Sequence, residues 1–265
     1  MFETILIYSG VGAVAGILAG LFGIGGGLVI VPMLVYLFGR QGMTPEVIMH
    51  VALGTSMASI MFTAVSSFMA HHRRGAVDWS IVRRIVIGIL IGTFLGSRVA
   101  AAMPTVALKT FFVIFLIWVA WRILASSKTT ASRGLPGRWG MFGVGNGIGV
   151  VSSWVGIGGG TLSVPFMLWC GVPAHTAVGT SAAIGLPIAI AGSVGYIVNG
   201  LAATGLPEWS LGFVYLPALV GIVVLSVFTA PLGVRLAHSL PVPRLKKAFA
   251  VLLLVVAARM AWGLL

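Results

Sequence analysis

Apolar runs long enough to cross a membrane follow one another along almost the whole chain and are separated only by short polar loops. Because one spanning helix needs about 20 apolar residues, the 265 residues have room for about eight to ten such segments and for no sizeable extramembrane domain. Only 8% of the residues are charged, against roughly 25% in a soluble domain. The pattern excludes a water-soluble fold and predicts an all-α polytopic membrane protein embedded in a lipid bilayer.

A glycine-rich motif occurs twice in the chain. Residues 23–27 and residues 156–160 both read Gly-Ile-Gly-Gly-Gly, and a Val-Pro pair begins four residues after each run. A Gly-Thr-Ser motif follows in each half and ends at Ser56 and at Ser181. Because these landmarks recur in the same order, we interpret the chain as a tandem duplication.

The duplication divides the chain into a first transmembrane repeat at residues 1–126, a cytoplasmic linker at residues 127–138 and a second repeat at residues 139–265. The loop at residues 71–80 contains two adjacent arginines, whereas its counterpart at residues 199–210 has no Lys or Arg. Basic loops stay on the cytoplasmic side, so the matching loops should lie on opposite sides of the membrane. We therefore predict that the repeats are inverted and that both termini lie on the periplasmic side of a bacterial inner membrane.

Each repeat contains five apolar segments, and the second segment of each is too short to span the bilayer comfortably. The predicted fold is two inverted-topology repeats with eight long transmembrane helices plus two short helices that are broken or re-entrant. The segments are expected at residues 5–22, 28–38, 47–70, 81–103 and 106–125 in the first repeat, and at residues 139–155, 162–169, 175–198, 211–237 and 245–264 in the second.

The three consecutive glycines of each motif interrupt a continuous helix, because each Gly costs about 1 kcal/mol relative to Ala. Pro32 and Pro165 suit the first turn of a new helix, where no N–H donor is needed. Each glycine break should therefore be followed by a short helix whose free N–H groups and partial positive charge attract an anion. Broken helices in inverted repeats point to the binding site of secondary transporters. Two other glycine series, at residues 12–20 and 88–96, have the spacing of helix-packing motifs.

The predicted site consists of the glycines of the two breaks and the hydroxyls beside them. His50 and His175 precede the Gly-Thr-Ser motifs and are the candidates for proton coupling. Arg98 and Arg235 occupy matching positions and either snorkel to the interface or line an exit path for the anion. The predicted substrate-binding residues are Gly25, Gly26, Gly27, Thr55, Ser56, Gly158, Gly159, Gly160, Thr180 and Ser181, with Ser152, Ser153, Thr161 and Ser163 as further hydroxyls beside the second break.

Acidic residues are few, and none is expected inside a span: the chain has four Asp+Glu against 16 Lys+Arg. The carboxylates that bind sodium or relay protons in many transporters are therefore missing, which disfavours a cation as substrate. The basic surplus is explained by membrane orientation, and no nucleic-acid-binding motif accompanies it. A single cysteine, Cys170, excludes an intrachain disulfide. No catalytic residue, metal site or cofactor is predicted.

With its paired Gly-Ile-Gly-Gly-Gly-x3-Val-Pro and Gly-Thr-Ser motifs, the sequence resembles the TauE/SafE sulfite exporter family over essentially the whole chain. The family is also described as the toluene sulfonate uptake permease family. The resemblance implies an inner-membrane carrier for sulfite, organosulfonates or related sulfur oxyanions. It further implies that the six glycines of the two breaks line the substrate path, with the hydroxyls of the Gly-Thr-Ser motifs near it. The direction of transport stays open, as does the oligomeric state, monomer or homodimer.

Three alternatives to a sulfur-anion carrier are considered. The first is a carrier or channel for another small organic or inorganic anion. The second is an intramembrane hydrolase that uses Ser181 and His175, but a separation of six residues along one helix puts these side chains on poorly matched faces. The third is a non-transporting scaffold, which the near-absence of loops disfavours.

Overall fold

The computed structural model describes residues 2–22, 26–125, 134–239 and 242–263 of the chain. Five helices belong to each repeat, and one two-stranded hairpin is the only β-structure among the described residues. In chain order the elements are α1 (Phe2–Phe22), α2 (Gly27–Arg40), α3 (Pro45–His72), α4 (Trp79–Ala102), α5 (Thr105–Leu124), α6 (Arg138–Val155), α7 (Gly160–Trp169), α8 (Ala174–Gly200), β1 (Ser210–Leu211), β2 (Val214–Tyr215), α9 (Leu216–Ser239) and α10 (Val242–Trp262).

The helices follow the predicted segments closely, with one exception. The segment expected at residues 211–237 begins later than predicted, because α9 begins only at Leu216 and the β1–β2 hairpin precedes it. Gly212 has φ 54° and occupies the first position of the two-residue hairpin loop, where a type II′ turn requires glycine. The turn could not be recognised from hydropathy because the residues around it are themselves apolar.

Within the part of the chain that the structure describes, five helices are long and apolar enough to cross a membrane. The short helices α2 and α7 have 14 and 10 residues, which gives about 21 and 15 Å of helix against about 30 Å of hydrocarbon. The predicted total of eight long transmembrane helices stays a prediction, because α1, α6 and α10 are not among the five. The five candidate spans are Pro45–His72, Trp79–Ala102, Thr105–Leu124, Ala174–Gly200 and Leu216–Gly233.

Helices α3 and α8, which carry the two Gly-Thr-Ser motifs, pack against each other, and contacts at their ends show that they run antiparallel. Near the start of α3, the ring of His50 stacks on Phe213 in the connection after α8, with the centroids 5.2 Å apart. Near the start of α8, the hydroxyl of Thr180 accepts a 2.9 Å hydrogen bond from the backbone N–H of Asp78, in the loop after α3. Each of the two helices therefore begins where the other ends.

The outer helices exchange partners between the halves. Helix α1 packs against α9, α6 packs against α4, and α5 packs against α10. A Cβ atom at Gly12 or Gly16 would collide with the backbone or side chains of α9, and a Cβ atom at Gly88 or Gly92 would collide with the backbone of α6. The prediction that these glycine series serve helix packing is confirmed at these four positions.

The burial of the spans identifies α3 as the innermost helix. In its apolar 18-residue stretch 83% of the residues are buried, against 39% in the stretch of α5. Helix α5 instead exposes large apolar side chains such as Val106, Ile114 and Trp121. In a bilayer these faces contact lipid, whereas α3 lies inside the helix bundle next to α8.

Candidate functional site

The two glycine breaks contact each other inside the bundle. Helices α1 and α2 form a hairpin, since the hydroxyl of Tyr8 near the start of α1 lies 2.9 Å from Nε2 and 3.1 Å from Oε1 of Gln41, just after α2. At the tip of this hairpin, a Cβ atom on Gly27 would collide with the carbonyl of Gly156 in the second break. The sequence predicted two opposed breaks, and the described parts of the two motifs are in direct contact.

Left-handed glycines precede both short helices. Gly26 caps α2 with φ 76° and Gly159 caps α7 with φ 77°. Gly156, which ends α6, has φ 68°. Residues with a side chain rarely adopt these angles, so the backbone itself requires glycine at these three positions. The prediction that a short helix follows each glycine run is confirmed.

Each short helix presents free N–H groups at its start. The carbonyl of Gly26 accepts the N–H groups of Val29 and Ile30, and the carbonyl of Gly159 accepts those of Leu162 and Ser163. The N–H groups at positions 27–28 and 160–161 come earlier in the first turn and have no acceptor within their own helix. A helix N-terminus carries about half a positive charge, so both short helices begin with the groups that bind anions.

Thr55 and Thr180 hold matching helix starts in the opposite repeat. The hydroxyl of Thr55 on α3 accepts a 3.0 Å hydrogen bond from the N–H of Tyr215, directly before α9. The hydroxyl of Thr180 makes the corresponding 2.9 Å bond with Asp78, directly before α4. Both threonines are fully buried. Each bond uses the oxygen as an acceptor, which leaves the hydroxyl hydrogen able to donate to an anion.

Ser56 connects α3 to the second break. Its Oγ donates a 2.9 Å hydrogen bond to the carbonyl of Gly156, and its side chain is fully buried. Ser181, its counterpart on α8, is also fully buried and donates to the carbonyl of Val178 at 2.9 Å. The first-repeat glycine that corresponds to Gly156 is Gly23, which lies outside the described residues. The same holds for the predicted site residue Gly25.

The two candidate histidines occupy different surroundings. His50 is 5% exposed, and its Nε2 lies 3.2 Å from the carbonyl of Ala100 and 3.0 Å from that of Met103, at the end of α4. His175 is exposed at the start of α8. Since Ser181 is buried while His175 is exposed, the pair that an intramembrane hydrolase would need is not in a common environment.

The predicted arginines and two of the acidic residues lie away from the buried centre. Arg98 on α4 and Arg235 on α9 are exposed, which is the placement that snorkelling predicts. Glu46 lies in the first turn of α3, and Asp78 caps α4 by accepting hydrogen bonds from the N–H groups of Ser80 and Ile81. These two carboxylates are therefore at helix ends.

A cavity of about 10 Å³ adjoins the second break, room for a single water molecule. Gly158 lines it together with Gly185 of α8 and with Thr63 and Ser67 of α3. Neither Thr63 nor Ser67 was among the residues predicted from the sequence. The signal that could have found them is the recurrence of hydroxyls every four residues along α3.

A larger cavity of about 320 Å³ lies at the start of α3. The loop after α2 and the connection after α8 form its walls, and Tyr215 lines it. The hydroxyl of Thr44 donates to the carbonyl of Gly205 across this junction at 3.3 Å. The cavity therefore lies between the two repeats, on the side of the β1–β2 hairpin.

Comparison with known proteins identifies the family. The model of the family described as Sulfite exporter TauE/SafE matches residues 8–260. A probable membrane transporter protein of Haemophilus influenzae is 40% identical over 98% of this chain and 99% of its own length. The probable membrane transporter protein YunE of Bacillus subtilis is 30% identical over 71% of this chain and 77% of its own. No solved structure matches significantly. This multi-pass membrane protein therefore belongs to the TauE/SafE sulfite exporter family of membrane transporters.

Proposed function

We propose that this protein is a secondary carrier for a small sulfur-containing anion, sulfite or an organosulfonate, which it binds between the two glycine breaks. The contact between Gly27 and Gly156 carries the proposal. It brings the N-terminus of α2 against the second break, so one ligand can meet backbone from both repeats. A binding site on backbone N–H groups selects for negative charge.

The surroundings of the breaks favour an anion over a cation. The polar side chain of α3 that contacts the second break is a neutral hydroxyl, since Ser56 donates to the carbonyl of Gly156, and Glu46 and Asp78 lie at helix ends. A cation would find no carboxylate in this set, whereas an oxyanion would find N–H and O–H donors. The hydroxyl hydrogens of Thr55 and Thr180 are suitable donors, because both oxygens already accept a backbone N–H.

The two halves are inverted-topology repeats related by a pseudo-twofold axis at the α3–α8 contact. The antiparallel course of α3 and α8 supports this arrangement, as does the exchange of partners by which α1 packs on α9 and α6 on α4. Transport then proceeds by alternating access, in which the repeats move relative to each other around a fixed central site. The cavity beside Tyr215 is the vestibule on one side of that site.

The protein lies in a bacterial inner membrane with both termini in the periplasm. Arg73 and Arg74 follow the end of α3, so the positive-inside rule places that end in the cytoplasm. The β1–β2 hairpin and the cavity beside it then face the periplasm. The protein acts as a transporter and performs no catalytic step.

Flux into proteoliposomes tests the function and the site together. The purified protein should transport sulfite or ethanesulfonate in preference to chloride. Replacing Gly26 and Gly159 with leucine should abolish this flux, because side chains at these left-handed positions displace the break. A matched control replaces Gly143 and Gly147 with leucine, since both lie in open space on α6.

The outcomes separate the substrate from the site. Unchanged flux in the Gly26→Leu plus Gly159→Leu protein would refute the site between the breaks. Transport of a different anion with no transport of sulfite or ethanesulfonate would refute the substrate class and leave the site in place. Size-exclusion chromatography in detergent verifies that each variant is folded.

A further inference from the structure

Polar side chains recur every fourth residue along α3, and all of them are buried. The row extends over about 24 Å of helix at 1.5 Å per residue, most of the roughly 30 Å of hydrocarbon in a bilayer. Burying polar groups in such a place is costly unless they are hydrogen-bonded. The row consists of Thr55 (0% exposed), Ser59 (0%), Thr63 (1%), Ser67 (4%) and His71 (4%).

Local hydrogen bonds satisfy the middle of this row. The Oγ of Ser59 donates to the carbonyl of Thr55 at 2.8 Å, and the Oγ1 of Thr63 donates to the carbonyl of Ser59 at 2.9 Å. Thr63 also lies 3.2 Å from the hydroxyl of Ser226 on α9. Such bonds to the preceding turn are the usual way in which a helix accommodates Ser and Thr, so these hydroxyls need no ligand.

Ser67 departs from this pattern. It is 4% exposed, and among the described residues its Oγ has no hydrogen-bond partner. It also lines the cavity that borders Gly158 and Gly185. A buried hydroxyl without a partner costs about 1–3 kcal/mol, so a group that is retained in this state beside a cavity has the properties of a ligand contact.

The second repeat lacks this feature. When the Gly-Thr-Ser motifs are aligned, Thr63 corresponds to Ile188 and Ser67 to Gly192 of α8. Ile188 reaches the second break, since a Cβ atom on Gly159 would collide with its Cδ1. Gly192 packs against the side chain of Met57. The positions of α8 that correspond to Thr63 and Ser67 therefore carry no hydroxyl.

We propose that Ser67 is a second contact site for the transported oxyanion, located on the α3 side of the glycine breaks and present in the first repeat alone. This inference rests on the proposed function, because it assigns a step on the same substrate path. The Ser67 hydroxyl donates to an oxygen of the anion as the anion moves between the breaks and the cytoplasmic end of α3. A neutral donor binds weakly enough to release its ligand, which passage through a membrane requires.

The cavity has room for a single water molecule, so the oxyanion enters it only when α3 and α8 move apart at this level. Ser67 is then reachable in one of the two access states and covered in the other. That conformational dependence makes the proposal measurable by chemical labelling.

Cysteine labelling in proteoliposomes tests the site. In a chain whose single cysteine is removed by Cys170→Ala, Ser67→Cys should react with the anionic reagent methanethiosulfonate ethylsulfonate, and ethanesulfonate but not chloride should slow the reaction. Ser193→Cys is the matched control, because Ser193 is a buried hydroxyl on α8 that donates to the carbonyl of Ala189 at 2.6 Å. In parallel, Ser67→Ala should lower ethanesulfonate flux about tenfold, the loss of one hydrogen bond to a charged group, and Ser67→Thr should restore most of it.

Two labelling results would overturn the site if the wild type transports ethanesulfonate. One is that Ser67→Cys reacts no faster than Ser193→Cys. The other is that ethanesulfonate does not slow the reaction of Ser67→Cys. Unchanged flux in Ser67→Ala also overturns it. Absence of both sulfite and ethanesulfonate flux in the wild type overturns the proposed function itself and this inference with it.

Discussion

The two repeats hold their glycine breaks in the same backbone conformation but surround them with different side chains. Gly26 and Gly159 have φ angles of 76° and 77°, and both lead into a short helix. Beside them, α3 carries buried hydroxyls at positions where α8 carries isoleucine or glycine, such as Thr63 against Ile188. The two breaks therefore share a backbone conformation, while the side chains along α3 and α8 differ.

The ends of the central helices diverge in the same way. His50 is buried against the end of α4, whereas the matching His175 is exposed. The loop after α3 is a short turn, whereas the corresponding connection after α8 contains the β1–β2 hairpin. The two ends of the α3–α8 pair thus differ in chemistry even though the helices match each other in sequence. The stability of variants substituted at matching positions shows which interactions the two repeats share and which belong to one repeat alone.

The largest effect is expected where the two breaks meet. Gly27→Ala places a Cβ atom into the carbonyl of Gly156, and backbone on both sides leaves no flexible group to move. We expect a loss of about 3 kcal/mol or more in the free energy of unfolding, measured as a lower thermal unfolding midpoint in detergent. Gly147→Ala is the control, since it lies in open space on α6. Equal stability of Gly27→Ala and the wild type would show that the breaks are not in contact.

The breaks were predictable from the sequence, and their surroundings were not. Three consecutive glycines followed by Val-Pro indicate a helix interruption without reference to distant residues. The helices were predictable because hydropathy alone indicates them. The partners of the Gly-Thr-Ser hydroxyls are distant in sequence: Thr55 binds the N–H of a residue 160 positions away. A hydroxyl shows that a hydrogen bond is available, but only the packing of the helices decides which group receives it.

The cavity at Ser67 could not be predicted from the spacing of hydroxyls alone. Ser59 and Ser67 occupy the same row on α3, yet the first is bonded to the preceding turn and the second is not. The difference depends on neighbours from α8 and the second break, including Gly158 and Gly185, which leave a space at this level. The β1–β2 hairpin was missed for a simpler reason, because its residues continue an apolar run.

Substitutions at Thr55 and Thr180 test whether the two matching hydrogen bonds contribute equally to the free energy of unfolding. Thr55→Val and Thr180→Val each remove the acceptor of a buried backbone N–H, so each should lower stability by about 2 kcal/mol. Thr→Ser at either position keeps the hydroxyl and should restore most of the loss. Thermal unfolding of the four single variants measures this. If valine and serine were equally destabilising, the hydrogen bonds to Tyr215 and Asp78 would not be the cause.

The matching histidines should respond unequally. His50→Leu removes the donor that lies near the carbonyls of Ala100 and Met103 and should cost about 1.5 kcal/mol. His175→Leu changes an exposed side chain and should remain within about 0.5 kcal/mol of the wild type. Chemical or thermal unfolding of the two variants under the same conditions provides the comparison. Equal losses in the free energy of unfolding would show that His50 is no more buried or hydrogen-bonded than His175.

The smallest effect concerns how the matching helices α4 and α9 begin. Asp78 caps α4 with its carboxylate, which accepts the N–H groups of Ser80 and Ile81 at 2.9 and 3.3 Å. The start of α9 is instead held by the hairpin, where the N–H of Leu216 donates to the carbonyl of Trp209 at 3.1 Å. Asp78→Ala should therefore cost about 1 kcal/mol, and Asp78→Asn, which keeps a capping oxygen, only a few tenths. Thermal unfolding of both Asp78 variants decides the point: equal losses would mean that the negative charge, and not the capping oxygen, stabilises the start of α4.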